Sequence, residues 1–301
     1  MAEKVSGPGG AGTGGAGTGG AGTDGAGTGG GQLTRAAATA WIDRWDAQQQ
    51  DFLPDREERF TALIDAVQES AGRPDPLVLD LGCGPGSLAV RLLGQIPAAA
   101  VVAIDADPLL LALGRAAWAG RVPGPVAAGE SGGTLRFADQ DLRVPGWSAA
   151  LRLDRRADAA VSTTALHWLP PDALATMYAE VARVLRPGGL LLNGDHLTED
   201  EATAPTLVRL GRVLNEREER RRAPHGRAET WAGWWDAVQS DPAFAGLVAE
   251  RRHRSPESEH HGSPSGRLSV HVEALRAAGF AEVGTIWQRG DNRLLCGVLG
   301  S

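Results

Sequence analysis

Two cysteines in 301 residues leave little to cross-link. Cys83 lies in a glycine-rich stretch and Cys296 in an apolar run, and neither has a CxxC neighbour. A disulfide scaffold is therefore excluded as the organising feature. The histidines and acids also lack ligand spacing, so no metal site is expected. No apolar run is long enough to cross a bilayer, and the N-terminus lacks the charged-then-apolar pattern of a secretion signal. The expectation is a cytoplasmic, soluble protein. Positive charge is in short supply: 30 Lys and Arg stand against 37 Asp and Glu, for a net charge of −7. That balance excludes a broadly basic footprint, so neither nucleic acid nor an anionic membrane surface is expected as a partner.

What is there divides unevenly. Residues 1–31 are nearly all Gly, Ala and Thr in GGAGT-like units, with almost no side-chain surface to bury, and read as a disordered tail. About 270 residues remain, enough for one large α/β domain with an insertion. Helical periodicity predicts helices over roughly 32–50, with Trp41, Trp45 and Gln48 to Gln50, and over roughly 55–71, separated by Pro54. From Leu77 strands and helices alternate. Strands are predicted at 77–81, 101–105, 134–138, 157–162 and 190–193. A helix from Pro171 to Leu185 is expected to end at Arg186-Pro187-Gly188-Gly189. This rhythm predicts a Rossmann-like α/β fold, a mostly parallel sheet covered on both faces. Residues 198–265 then read as two or three polar, Arg-rich helices with no strand. A final helix and a hairpin turning at Arg289–Asn292 close the chain, with the last strand antiparallel. The expected organisation is a core with its N-terminal helices over 32–197, a helical lid over 198–265, and a completing helix and hairpin over 266–301.

The strongest motif is VLDLGCGPGS, where strand one meets the next helix. Glycine lets the backbone turn tightly and approach a ligand, and a helix start offers free N–H groups. Dinucleotide loops use GxGxxG around a pyrophosphate. Here Gly82, Gly84 and Gly86 alternate with Cys83 and Pro85, Ser87 stands where the third dinucleotide glycine falls, and Asp80 precedes the loop. A carboxylate so placed repels a pyrophosphate and suits a cationic amino-acid moiety, which favours S-adenosylmethionine. The segment resembles motif I of the class I S-adenosylmethionine-dependent methyltransferases, [DE]-x-G-x-G-x-G, at every position. The resemblance covers residues 55–194 well and the final hairpin in pattern. It implies a seven-stranded sheet with the last strand antiparallel, and a cofactor site of Asp80, Gly82, Cys83, Gly84 and Gly86.

Asp105 and Ala106 end strand two, where a carboxylate takes vicinal ribose hydroxyls; Asp107 fills the capping role instead. At the end of strand three the resemblance implies an acid on the adenine amine. Asp139 and Asp141 both qualify, with Asp141 favoured by the apolar Leu142 that follows. After strand four, Ser162 and Thr163 are expected against the methionine part, with His167 and Trp168 facing substrate. This segment resembles the small-molecule branch, including enzymes similar to trans-aconitate methyltransferase, which carry a related His-Trp pair. Methyl transfer from a sulfonium needs proximity and alignment first, and a base only for a protonated acceptor. His167 is the first candidate base and His196 the second. Trp45 and Trp231 are candidate substrate contacts, the alternative being that Trp231, Trp234 and Trp235 pack the lid onto the core. The expectation is methyl transfer to a small molecule. A cofactor-binding regulatory protein of the same fold stands as the alternative, and nothing in the sequence gives the oligomeric state.

Overall fold

The computed structural model describes residues 33–53, 55–118, 132–222, 229–254 and 264–301. The Gly-rich stretch 1–31, Pro54, His225, His260 and His261 lie outside the described residues. Two helices come first, α1 (Arg35–Phe52) and α2 (Arg56–Ala71). Phe60, Leu63, Ile64 and Val67 recur at helical spacing on α2 and are buried, so this helix forms by presenting one apolar stripe to the sheet. The alternating region follows: β1 (Leu77–Leu81), α3 (Ser87–Gln95), β2 (Ala100–Asp105), α4 (Pro108–Trp118), β3 (Thr134–Asp139), a single helical turn α5 (Trp147–Ala150), β4 (Ala157–Thr163), α6 (Pro171–Val184) and β5 (Leu185–His196). Asp107 caps α4 as expected, its Oδ1 accepting the N–H groups of Leu109 and Leu110 at 3.0 and 3.2 Å.

The sheet order is β3-β2-β1-β4-β5-β7-β6, with β6 (Phe280–Arg289) and β7 (Asn292–Leu299) forming the closing hairpin. Strands β1 to β5 are parallel; β7 runs antiparallel between β5 and β6. Alternation along β1 sorts the core onto two faces. Leu77, Leu79 and Leu81 pack with Met177, Tyr178 and Val181 of α6 and Leu275 of α10 (Leu268–Ala277). Val78 packs instead with Phe60 and Leu63 of α2 and Leu88 and Leu92 of α3.

The strand starting at Leu190 in the sequence reading begins earlier, at Leu185, which pairs with Ala157 before a register irregularity. The Pro-Gly-Gly segment thus belongs to the entry of β5 rather than to the end of α6, which stops at Val184. Pairing to β4 overrides the local turn chemistry there. The turn α5 also escaped the sequence reading, because four residues are too short for a periodic signal.

Between β5 and the hairpin lie α7 (Pro205–Arg222), α8 (Trp231–Ser240) and α9 (Ala245–Arg254). Trp234 and Trp235 are buried in a third cluster with Ile42 of α1, Leu109 and Leu113 of α4, and Phe244. Trp234 meets Trp41 and Trp45 edge-on, at 5.8 and 4.9 Å between ring centroids. Such pairs contribute about 0.5–1.5 kcal/mol each beyond area burial, so α8 is held firmly onto the N-terminal helix.

At the amino end of the sheet one carboxylate joins three elements. Buried Asp158 of β4 accepts the Leu77 N–H at 2.8 Å, Arg155 Nη1 at 2.7 Å and Arg186 Nε at 2.9 Å. Burial opposes its charge, but these donors outweigh burial and hold the carboxyl below the usual range. A depressed native pKa contributes stability that is present above the unfolded value and lost as pH falls through the native one. Asp158→Ala is therefore expected to cost about 2–3 kcal/mol at neutral pH, the scale of hydrogen bonds to a charged group. In urea melts the gap between variant and wild type should close as the pH is lowered below about 4.

Candidate active site

The order 3-2-1-4-5 reverses direction between β1 and β4, and a ligand crevice opens outside the carboxyl ends of the strands at such a point. Asp80, Asp105, Asp139 and Thr163 stand at or next to the ends of β1 to β4 in turn. The loop from β1 into α3 carries Gly82, Gly84 and Gly86 with φ of 69°, 55° and 93°. Glycine is required there on two grounds. The left-handed backbone disfavours other residues, and a Cβ on Gly82 would run into the Cβ of Ala165. The segment after β4 thus rests directly on the loop after β1. Cys83 within that loop is buried, and burial and the nearby Asp105 and Asp80 charges push its thiol well up, so it is no nucleophile.

Two carboxylates define the chemistry of the crevice. Asp80 is buried, and neither of its oxygens has a hydrogen-bond partner among the described residues. Burial and the charge of Asp105 push it up to about 7. An unpaired buried carboxylate is costly and calls for a cationic partner. Asp105 accepts the N–H groups of Gly84 and Asp107, each at 2.8 Å. Burial raises it to about 6 against the lowering effect of those donors. One N–H per oxygen leaves further acceptor capacity on both oxygens, enough for a vicinal diol. An ammonium at Asp80 and a diol at Asp105 are the groups that S-adenosylmethionine carries, whereas a pyrophosphate fits neither.

The acids after β3 are placed differently from one another. Asp139 pairs in register with Asp105, and both its oxygens accept from Arg254 Nη1 of α9, at 2.7 and 2.9 Å. Asp141 is engaged by the backbone and guanidinium of Arg143, with Leu142 buried behind it. Ala106 offers its carbonyl to Arg254 at 3.4 Å. Buried Ser162 donates to the Leu81 carbonyl at 2.7 Å, tying β4 to β1.

Beyond Thr163 the chain turns through Thr164, which is left-handed at φ 50°. A non-glycine residue there is strained and persists only where its surroundings hold it. Its N–H donates to the Gly194 carbonyl at 2.8 Å, and Ala165 abuts Gly82. The short 3₁₀ turn Leu166–Trp168 follows and delivers His167 to β5, where Nδ1 lies 2.9 Å from both oxygens of Asp195. The Trp168 ring sits 4.6 Å from that of His167 and is 45% exposed, at the mouth of the site. His196 goes elsewhere. Its neighbour Asp195 points to the opposite face of the strand, and its Nδ1 contacts Asp291 at 3.0 Å. The structure brings His167 to a buried acid and leaves His196 on a half-exposed surface pair.

Trp45 approaches the loop, its Cζ2 3.9 Å from a Cβ built on Gly84. Trp231 lies at the outer end of the tryptophan cluster, 39% exposed and 5.9 Å from Trp235.

Four participating residues had no signal in the sequence. Arg59 of α2 is fully buried, donating to Thr163 Oγ1 and Asn292 Oδ1, each at 2.6 Å. Burial lowers it to about 10, with the Asp195 charge working the other way. Asp46 of α1 accepts from Ser87 at the start of α3 and from Arg56. Arg251 and Arg254 of α9 reach Asp107 and Asp139. All are charged residues on helices, which read as solvated until tertiary contacts are known. Among the described residues no group of three or more His, Cys, Asp or Glu is placed to hold a metal ion, and no helix is long and apolar enough to cross a membrane.

The two grounds for glycine at position 82 are separable. Gly82→Ala combines left-handed strain with the Ala165 contact and is expected to displace the 163–168 turn. Gly72→Ala, with φ of 63° and nothing within 4 Å of the added Cβ, meets only the strain, about 1–2 kcal/mol. Amide exchange over 163–168 should rise in the first variant and stay unchanged in the second.

Residues 78–189 match a family described as a methyltransferase domain. Over 148 residues the chain is 33% identical to a trans-aconitate 2-methyltransferase of Streptomyces coelicolor, taking in 49% of this chain and 43% of that protein. It is 31% identical over 147 residues to one of Methylobacterium nodulans, taking in 49% of this chain and 48% of that protein. The chain thus spans about half the length of the curated relatives it matches. A crystal structure of magnesium protoporphyrin IX methyltransferase from Synechocystis superposes with a TM-score of 0.47 at 17% identity, covering 87% of this chain and 95% of that one. The segment 78–189 that resembles a methyltransferase domain contains the loop after β1, Asp105, Asp139 and His167.

Proposed function

We propose that the chain transfers a methyl group from S-adenosylmethionine to a small-molecule acceptor. The observation that carries this is the convergence, at one crevice, of an unpaired buried carboxylate, a diol-ready carboxylate and a histidine braced by a buried acid. Asp80 would hold the amino-acid ammonium, with Gly82, Cys83, Gly84 and Gly86 lining the approach. Asp105 and Ala106 would hold the ribose, and Asp139 or Asp141 with Leu142 the adenine. Ser162 and Thr163 would flank the methionine chain. Between the two acids after β3, the in-register position of Asp139 beside Asp105 favours Asp139.

Bound there, S-adenosylmethionine supplies an electrophilic methyl group on a sulfonium, with a neutral thioether as the leaving group. The protein's part is alignment and the control of protons. The turn 163–168 is clamped between Gly82 and Gly194 and brings His167 to the cofactor loop. Of the two candidate bases, His167 is favoured over His196 because it is the one braced by a buried carboxylate. Trp168 at the mouth, Trp45 against the loop and, further out, Trp231 are the aromatic surfaces offered to a substrate. Helices α8 and α9 pack against α1 and α4; as a lid over the crevice they would suit a small acceptor better than a macromolecule.

Calorimetric titration of the full chain tests the cofactor half. S-adenosylmethionine and S-adenosylhomocysteine should both saturate, and NAD should give no heat of binding. Asp105→Ala should weaken both sulfur compounds by about 10- to 100-fold, the worth of hydrogen bonds to a charged group. Binding of NAD alone would overturn the reading. Methyl-labelled cofactor with a panel of small acceptors, trans-aconitate first because relatives carry that name, tests the transfer half. Cofactor binding without turnover on any acceptor would leave the non-catalytic alternative standing.

A further inference from the structure

Helix α7 is covered by very little. Among its described side chains none is buried. None of the three apolar clusters takes in a residue of α7, and among the described residues no other helix or strand packs along it. Asn215 ties one side of it to Asp291, in the turn between β6 and β7. A Cβ added to Gly211 would meet nothing within 4 Å, so the middle of the helix is open.

The helix nevertheless carries an apolar stripe. Leu207, Leu210 and Leu214 are 58%, 44% and 57% exposed. At about 100° per residue they fall within about 60° of one another around the axis, and Arg217 and Arg221 continue the same side. A lone exposed leucine calls for no explanation, but three in line on an uncovered helix mark a surface that a partner completes.

The ends of the stripe identify that partner. The leucines are three and four residues apart, so the pattern is nearly the same read from either end, with its midpoint between Leu210 and Gly211. The acidic run Glu199-Asp200-Glu201 precedes the helix, and Asp200 lies as far before the midpoint as Arg221 lies after it. Helical spacing holds over that whole length. The Asp200 carbonyl accepts the N–H groups of Thr203 and Ala204 at 3.2 and 2.8 Å, and the Ala204 carbonyl accepts that of Val208 at 3.1 Å. A strip that is apolar in the middle and oppositely charged at equal distances matches itself under a two-fold rotation, as an isologous interface must. Parallel copies would instead set arginine against arginine and acid against acid, which is unfavourable. An anionic surface would satisfy only the basic end, and a basic one only the acidic end.

We propose that α7 is the docking surface for a second copy of this chain, packed antiparallel about a two-fold axis near Leu210. Leu207 of each copy meets Leu214 of the other, and the two Leu210 side chains meet at the axis. Arg221 of each copy faces the acidic run of the other. Within one chain Arg267 and Arg293 already brace Asp200 and Glu199, at 3.3 and 2.6 Å, while Glu201 is exposed. Arg221 pairs along its own helix with Glu218, and its side chain is 64% exposed. Glu201 and Arg221 are therefore the charges best placed to reach across.

The test is sedimentation equilibrium of the full chain at low salt. A single helix pair lies at the small end of interface sizes, so wild type should self-associate with a Kd of about 10–100 µM. Leu210→Asp brings two carboxylates together at the axis and should weaken the dimer by about 10-fold or more. Leu210 is exposed in the single chain, so the melting temperature of this variant at high dilution should match wild type. Glu201→Arg and Arg221→Glu each set like charges against one another at both ends, and each should weaken the dimer by about 3- to 10-fold. Combined in one chain, the two changes restore opposite charges across the axis, and the double variant should return to within about twofold of wild type. In a parallel pair Glu201→Arg would only exchange one like-charge contact for another and leave the dimer unchanged. A wild-type chain that is monomeric throughout, a dimer indifferent to Leu210→Asp, or single charge changes that the double variant does not rescue overturns the proposal.

Discussion

The carboxyl end of the sheet is organised by one close approach, that of Ala165 to Gly82. It brings the turn after β4 onto the loop after β1, across the point where the strand order reverses. Without a side chain at position 82 the two loops share one wall of the crevice. With one, they must part. From this contact follow the strained Thr164, the 3₁₀ turn behind it, and the delivery of His167 to Asp195. Strain at such a position is stored because both flanks are pinned.

The second constraint is charge without water. Asp80, Arg59 and Asp195 are all buried near the same end of the sheet. Arg59 and Asp195 offset one another across β5, and each is further tied by hydrogen bonds. Asp80 has no such offset, and its elevated value of about 7 reflects that. In a low-dielectric setting an unmatched charge of this kind is tolerated where a ligand supplies the opposite sign. The asymmetry distinguishes the Arg59–Asp195 pair, which is internally matched, from Asp80, which is not.

Charge pairs also fasten α9 to the sheet. Arg251 reaches Asp107, the cap of α4, and stacks over Trp235 at 3.9 Å. Arg254 reaches Asp139 at the tip of β3. Helices α8 and α9 therefore rest partly on acids at the carboxyl end of the sheet, and partly on the tryptophan cluster that joins α1 to α8.

The sequence by itself determined the layered α/β fold, the seven strands with the reversed β7, the glycine loop, the Asp107 cap and the candidacy of Asp105 and His167. These features are local: periodicity, turn chemistry and spacing along the chain carry them. It misplaced the start of β5, because pairing with Ala157 is non-local and overrides a Pro-Gly-Gly stop signal. Local signals ranked His167 ahead of His196 without showing what either ring touches. Only tertiary structure decided between their surroundings, since strand alternation points adjacent residues 195 and 196 to opposite faces and places Asp195 under His167, 28 residues away in the chain. Arg59 was invisible for the same reason. An arginine on a helix reads as solvated, and its burial against Thr163 and Asn292, separated from it by 104 and 233 residues, exists only once the sheet has formed.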